Sequence, residues 1–209
     1  MTRSPVAADD LDRCVRLAMA TLRQAPPDRW RARAGTTDWD CWSTVEHLAD
    51  TLFAYACQLA PSRPPEDDYV PFETNAGTPG GPLAAVHADV KAGPEGLLRM
   101  LEACAGIELA VVRTTPPGAR AWHPYGVADA EAFTAMGVVE TLAHVHDAAE
   151  GLGVPWTPPA DLCRRVLDRL FPDAPADTDP WPTLLWATGR GDLPGRERLT
   201  DWKWDNGPR

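Results

Sequence analysis

Only two lysines, Lys91 and Lys203, occur among the 209 residues of this chain. Arginine supplies the remaining positive charge, and nowhere do basic residues cluster with interleaved aromatics. With a formal net charge of −10 at pH 7, such a surface repels a phosphate backbone, which excludes nucleic acid as a partner. Long apolar runs are lacking as well. No segment reaches the roughly eighteen consecutive apolar residues of a membrane span, and the opening MTRSPVAADDLDRC has no apolar stretch of the secretory type. Cysteine is sparse and unpaired. Cys14, Cys41, Cys57, Cys104 and Cys163 are odd in number and form no CxxC pair. Most fall within apolar helical patterns, where a free thiol behaves as a small core residue. This excludes a disulfide framework and reads as a reducing compartment, hence a cytoplasmic protein. Internal repeats, low-complexity runs and period-two alternation are all absent.

What is present is helical periodicity. In DDLDRCVRLAMATLRQA, Leu11, Val15, Ala18, Leu22 and Ala25 recur at three- and four-residue intervals, with Pro26 and Pro27 as the stop. Ser43, followed three residues later by Glu46, has the spacing of a capping box. It predicts a helix carrying Val45, Leu48, Leu52, Tyr55 or Ala56, and Leu59 on one side. A long Pro- and Gly-rich loop follows from Pro61 to Pro82, and a loop of that length inside a compact domain is more often functional than idle. A third helix is predicted through LAAVHADV, kinked at Gly93-Pro94, and on through Leu97, Leu101, Cys104, Glu108 and Val111. The fourth runs from an N-cap at Asp129 to Gly151 or Gly153. Four long helices with irregular connections read as an all-α four-helix bundle over residues 1–153. Residues 154–209 read as a small Pro- and Trp-rich appendage with two short helices, packed on the bundle because its tryptophans need burial.

The fourth helix carries the chemistry. At 100° per residue, Phe133, Met136, Glu140, His144 and Asp147 share one face. Phe133 and Met136 mark that face as buried, and a carboxylate placed there without a partner costs several kcal/mol. A cation opposite Glu140 would satisfy it. An i, i+4 Glu–His pair presents both side chains to one metal ion, and a third ligand must come from another helix, where His47 is the histidine available. An internal hydrogen-bonded Glu140–His144 pair is the competing reading, with equal weight on spacing alone. His146, two residues from His144, points to the opposite side. His123, in the AWHPYG loop, borders the cavity as a substrate contact or proton carrier. His87 reads as a surface residue. Asp147 is either an acceptor behind a ligand imidazole or an ordinary ion-pair partner. Cys41 reads as packing beside its tryptophans.

Two of these segments are familiar. WDCWSTVEHLADTLFAYACQLA resembles the second helix of the DinB-like superfamily, and VVETLAHVHDAAEGLG resembles the Glu-x-x-x-His segment of its mycothiol-dependent maleylpyruvate isomerase branch. The resemblance covers Asp9 to Gly153 and places His47, Glu140 and His144 on that branch's three metal ligands. It implies zinc, or another divalent ion such as nickel, with a mycothiol-like thiol as cosubstrate for isomerisation or S-transfer. The larger second domain of the maleylpyruvate isomerases has no counterpart here, which puts maleylpyruvate itself in doubt. Arg190, in LLWATGR, reads either as a group orienting an anionic substrate or as a structural arginine. Three functions are thus expected, in this order: a metal- and thiol-dependent transferase or isomerase acting on a small molecule, a hydrolase using metal-bound water, and a non-catalytic metal-binding protein. Each would act as a monomer or homodimer.

Overall fold

Asp40 decides where the second long helix starts. In the computed structural model, which describes residues 3–209, its carboxylate accepts the amide of Ser43 at 2.7 Å. The helix therefore opens one turn earlier than the Ser43–Glu46 spacing predicts. It spans Cys41–Leu59 and is called α2. It follows α1, Ala8–Leu22, whose first turn is fixed by Asp10 accepting the amide of Ala7. Freed from any capping role, Glu46 turns inward and is buried.

The largest departure from expectation lies between residues 83 and 92. LAAVHADV is not helical. Leu83–Ala84 (β2) pairs antiparallel with Asn75–Ala76 (β1), too short a ribbon to show alternation. The cause sits on α2. Asp50 accepts the amides of Ala85 and Val86 at 2.7 and 3.0 Å, and Glu46 accepts that of Ala88 at 3.0 Å. Amides spent on side-chain acceptors are lost to a helix. The third helix, α3, begins only at Gly93, with Pro94 in its first turn, where a missing N–H costs nothing, and runs to Thr114.

Helix α4 spans Ala130–Leu152 as the sequence predicts. Asp129 accepts the amide of Ala132 at its start, and Gly153 takes a left-handed conformation (φ 73°) at its end. Two shorter helices complete the chain, α5 (Ala160–Leu170) and α6 (Pro180–Ala187). Among the described residues the architecture is thus mainly helical, and no helix is long and apolar enough to cross a membrane.

Helix α2 packs against α3 and α4, while α1 packs against α4 and α3. Their shared core includes Leu11, Leu48, Leu52, Leu97, Leu101 and Leu142, all fully buried. Each such side chain contributes about 1.5–3 kcal/mol of burial free energy. The core continues without a break into the tail through Leu162, Val166, Leu184 and Trp204. A buried ion pair strengthens that junction. Arg169, wholly inaccessible, donates to Asp129 at 3.1 Å and to the carbonyls of Asp205 and Gly207. Gln58 pins the long loop to α2, donating to the carbonyl of Asp68 at 2.8 Å and accepting the amide of Val70 at 3.0 Å. Residues 68–74 are thereby held beside the polar face of α2 and α4.

Candidate metal centre

Two helices bring the predicted ligands together. His144 Nε2 lies 2.9 Å from Glu140 Oε2 on α4. The ring of His47, on α2, stands edge-on to that of His144 with centroids 5.1 Å apart. Trp39, from the loop ahead of α2, closes the group from outside, its ring 4.9 Å from His47 and 6.5 Å from His144. The three side chains are largely shielded from solvent, with 10 % of His144 and 15 % of Glu140 exposed. Tyr55 reaches Glu140 Oε1 from α2 at 3.4 Å.

Behind this group lies a chain of ion pairs. Asp147 Oδ2 is 3.4 Å from His144 Nδ1, and Arg190 grips the same carboxylate through Nε and Nη2, at 3.1 and 2.8 Å. Asp147 is thus an ion-pair partner of Arg190 that also faces the ring of His144. Arg190 is engaged with Asp147 and is not among the residues lining the cavity described below.

These contacts set the protonation states. Burial, with the neighbouring His144 charge, pushes the pKa of His47 down to about 4. Burial raises the pKa of Glu140, but the hydrogen bond from His144 and the charges of His144, His47 and Arg190 overcome it and hold the carboxylate at about 2. Burial likewise opposes charge on His144, yet Asp147 and Glu140 outweigh it and raise its pKa. Burial keeps Tyr55 protonated, helped by the Glu140 and Glu108 carboxylates.

Does this set suit a metal ion? Two imidazoles and a carboxylate are the donor types that zinc and its neighbours take. His47 Nδ1 is buried without a hydrogen bond, whereas His144 Nδ1 faces Asp147 at 3.4 Å, and an orphaned buried nitrogen calls for a partner. Among the described residues no three such groups are already splayed around a common point. His144 and Glu140 instead close on each other through their hydrogen bond. The donor set is right, and the pair must open to use it.

The group sits at the inner end of a cavity of about 720 Å³. His47, Tyr55 and Glu140 form its floor, the 68–74 loop one wall, and Trp122, His123 and Trp204 another. His123 is buried, and burial lowers its pKa to about 4. Its Nδ1 accepts the amide of Tyr125 at 3.1 Å, which places the ring proton on Nε2. The long loop, whose role the sequence left open, is therefore part of the site.

No family model, curated protein or solved structure matches this chain.

Other candidates fall elsewhere. His87 is half-buried, not a surface residue, and packs against Glu46 at 3.2 Å because the chain from 83 to 92 wraps over α2. His146 faces away from His144, toward Trp181 and Glu150, as predicted. Cys41 is buried and its thiol is pushed up to about 11, so it stays protonated. The sequence pattern placed Tyr55 and Glu108 on apolar helical stripes without a role at the site, and gave Trp39 none. Glu108 had the same signature as Glu140, a carboxylate on an apolar helical stripe.

Glu108 is wholly buried on α3 and neither of its carboxylate oxygens has a hydrogen-bond partner. It lies against Gly137 of α4, where a Cβ would meet Oε1 at 2.7 Å. Burial, reinforced by the Glu140 charge, raises its pKa well above the usual carboxylate value. The folded state therefore binds this proton more tightly than the unfolded chain does. Its contribution is least unfavourable below the unfolded pKa of about 4.3 and worsens as pH rises toward the folded value. Glu108→Met is expected to stabilise the protein by about 1–3 kcal/mol at pH 7, and by clearly less near pH 4.5. Urea unfolding of both proteins at the two pH values checks this. A gap that does not widen with pH would show that the carboxyl is satisfied after all.

Proposed function

We propose that His47, Glu140 and His144 hold one divalent ion, zinc for preference, in a DinB-like bundle formed by α1–α4. On this reading the protein is a thiol-dependent transferase or isomerase acting on a small electrophile, with a mycothiol-like thiol as cosubstrate. One observation carries the reading: two imidazoles and a carboxylate meet beside a roomy cavity whose floor holds His47 and Glu140, and His47 keeps a buried nitrogen unbonded. The packing of α1–α4 and the order of the two motifs along the chain support the DinB-like assignment.

An ion bound by two neutral imidazoles and one carboxylate retains a charge of about +1 and an open position, enough to keep an incoming thiol deprotonated at neutral pH. The protein does the rest. His47, held neutral by burial, offers a lone pair without first losing a proton. Asp147 orients the ring of His144, and Arg190 orients Asp147. Tyr55 keeps its proton and steadies Glu140. His123, neutral with its proton on Nε2, is a group on the wall able to donate a hydrogen bond to a substrate.

The test is metal content of the purified protein beside His144→Ala, with a thiol titration of the cobalt-substituted form. About one metal per chain, lost in the variant, with cobalt absorption shifted by thiol, is the expected result. Bound metal with catalysis that needs no thiol would convert the reading to a hydrolase. A metal-free wild type that takes up no added zinc would reduce the three residues to a hydrogen-bonded network and remove the enzyme reading.

A further inference from the structure

The cavity walls differ in character from the floor. No lysine or arginine lines the cavity. The charged groups that do are Asp50, Asp68 and Glu140, all acidic. Asp50 and Asp68 are occupied by backbone amides, of Ala85 and Val86 and of Tyr69 respectively. What remains is an aromatic lining. Tyr69 stands edge-on to Trp122 at 4.6 Å, and Phe72 packs on Phe53 at 5.5 Å. At the mouth Tyr69 and Phe72 are about half exposed, so apolar ring surface faces solvent where a ligand would enter.

We infer that the second substrate is an uncharged, planar aromatic molecule, received between Tyr69, Phe72 and Trp122 with its reactive carbon toward the floor. Three arguments lead there. The space is of the size that takes a small organic ligand, roughly 300–1,000 Å³. Ring faces and edges around it reward offset or edge-on stacking with another ring. Charge decides the rest. An anion entering the metal-free cavity would meet carboxylates and no cationic side chain, on a chain already at −10. Arg190, the arginine nearest in function, is committed to Asp147. The exclusion of cations rests on the proposed metal, whose residual positive charge at the floor would repel them. The exclusion of anions does not depend on it.

Calorimetry with three naphthalene derivatives tests the inference: 2-naphthol, uncharged at pH 7, 2-naphthoate, and 2-naphthylmethylammonium. The first two are titrated into chelator-treated protein, so that carboxylate–metal binding cannot intervene, and the first and third into zinc-loaded protein. Naphthol is expected to bind about tenfold or more tightly than either charged analogue. Phe72→Ala, a change at an exposed side chain, should weaken naphthol severalfold. Thr51→Lys, which adds a cation to the wall, should bring naphthoate to within about threefold of naphthol or better. Naphthoate binding as tightly as naphthol in the wild type, or no binding of naphthol at all, would overturn the inference. So would a Thr51→Lys protein that still rejects naphthoate. Because the naphthol–naphthoate comparison uses metal-free protein, its failure is separable from failure of the metal reading, which metal content decides.

Discussion

Zinc at a roughly thousandfold excess over its dissociation constant should add about 4 kcal/mol to the unfolding free energy of the wild-type protein. For a chain of this size that is a rise in Tm of roughly 8–16 °C. His47→Ala should lose the entire rise. The argument is mass action. An ion that needs α2 and α4 brought together binds the folded state and not the unfolded chain, and His47 is the ligand proposed from α2. Asp147→Asn should give a partial effect, lowering affinity about ten- to a hundredfold, because it loosens the ring of His144 without removing a donor. The pH dependence has a definite sign. His144 has a raised pKa, and its proton competes with the ion, so affinity climbs as pH rises through that pKa. His47, pushed down to about 4, adds no dependence above that pH. Differential scanning fluorimetry with zinc, cobalt and nickel reads all of this. No shift with any of the three ions in the wild type would sink the metal centre.

Arg169→Met is expected to cost about 3–5 kcal/mol, because it strips a buried carboxylate of its counter-charge. The carboxylate is Asp129. Its Oδ1 caps α4 through the amide of Ala132 and faces Arg169, and its Oδ2 accepts the amide of Arg209 at 2.8 Å. Removing the guanidinium leaves that charge inside the fold and also frees the carbonyls of Asp205 and Gly207. Combining Arg169→Met with Asp129→Asn should recover part of the loss, since asparagine still caps a helix and carries no charge. Burial alone would raise the pKa of Asp129. The amides of Arg209 and Ala132 and the charge of Arg169 reverse that and hold it below the ordinary value. The stabilisation is therefore present above the unfolded pKa of about 3.9 and lost as pH falls through the folded one. Urea unfolding of the single and double variants measures the coupling. A single variant within about 1 kcal/mol of wild type would mean the pair offsets no more than its own desolvation.

Much of the site was legible because its information is local. The cap at Asp129 and the stripe of Phe133, Met136, Glu140 and His144 lie within one helix, and helical geometry alone puts them on one face. The opposite sides of His144 and His146 follow in the same way. What escaped depends on partners distant in the chain. LAAVHADV has an acceptable helical pattern, and only Asp50 and Glu46, some forty residues earlier, divert its amides. The pairing of Arg190 with Asp147 spans 43 positions and carries no local mark. The start of α2 was misplaced for another reason, since Asp40 and Ser43 are both good caps and the choice between them is made by the loop that packs ahead of the helix. The aromatic cavity was invisible because its walls come from α2, the long loop, the segment before α4 and the tail, and no local pattern marks that these meet.

Glu108 and Gly137 constrain each other in a way that bears on descent. A methyl group at position 137 would press into the buried Glu108 carboxylate, which would have to shift to admit it. Change at either position is therefore conditional on the other. A lineage that shortens residue 108 relieves the contact that disfavours a side chain at 137, and one that keeps the long acid favours the glycine. The two positions, 29 residues apart on different helices, should behave through divergence as one inherited unit.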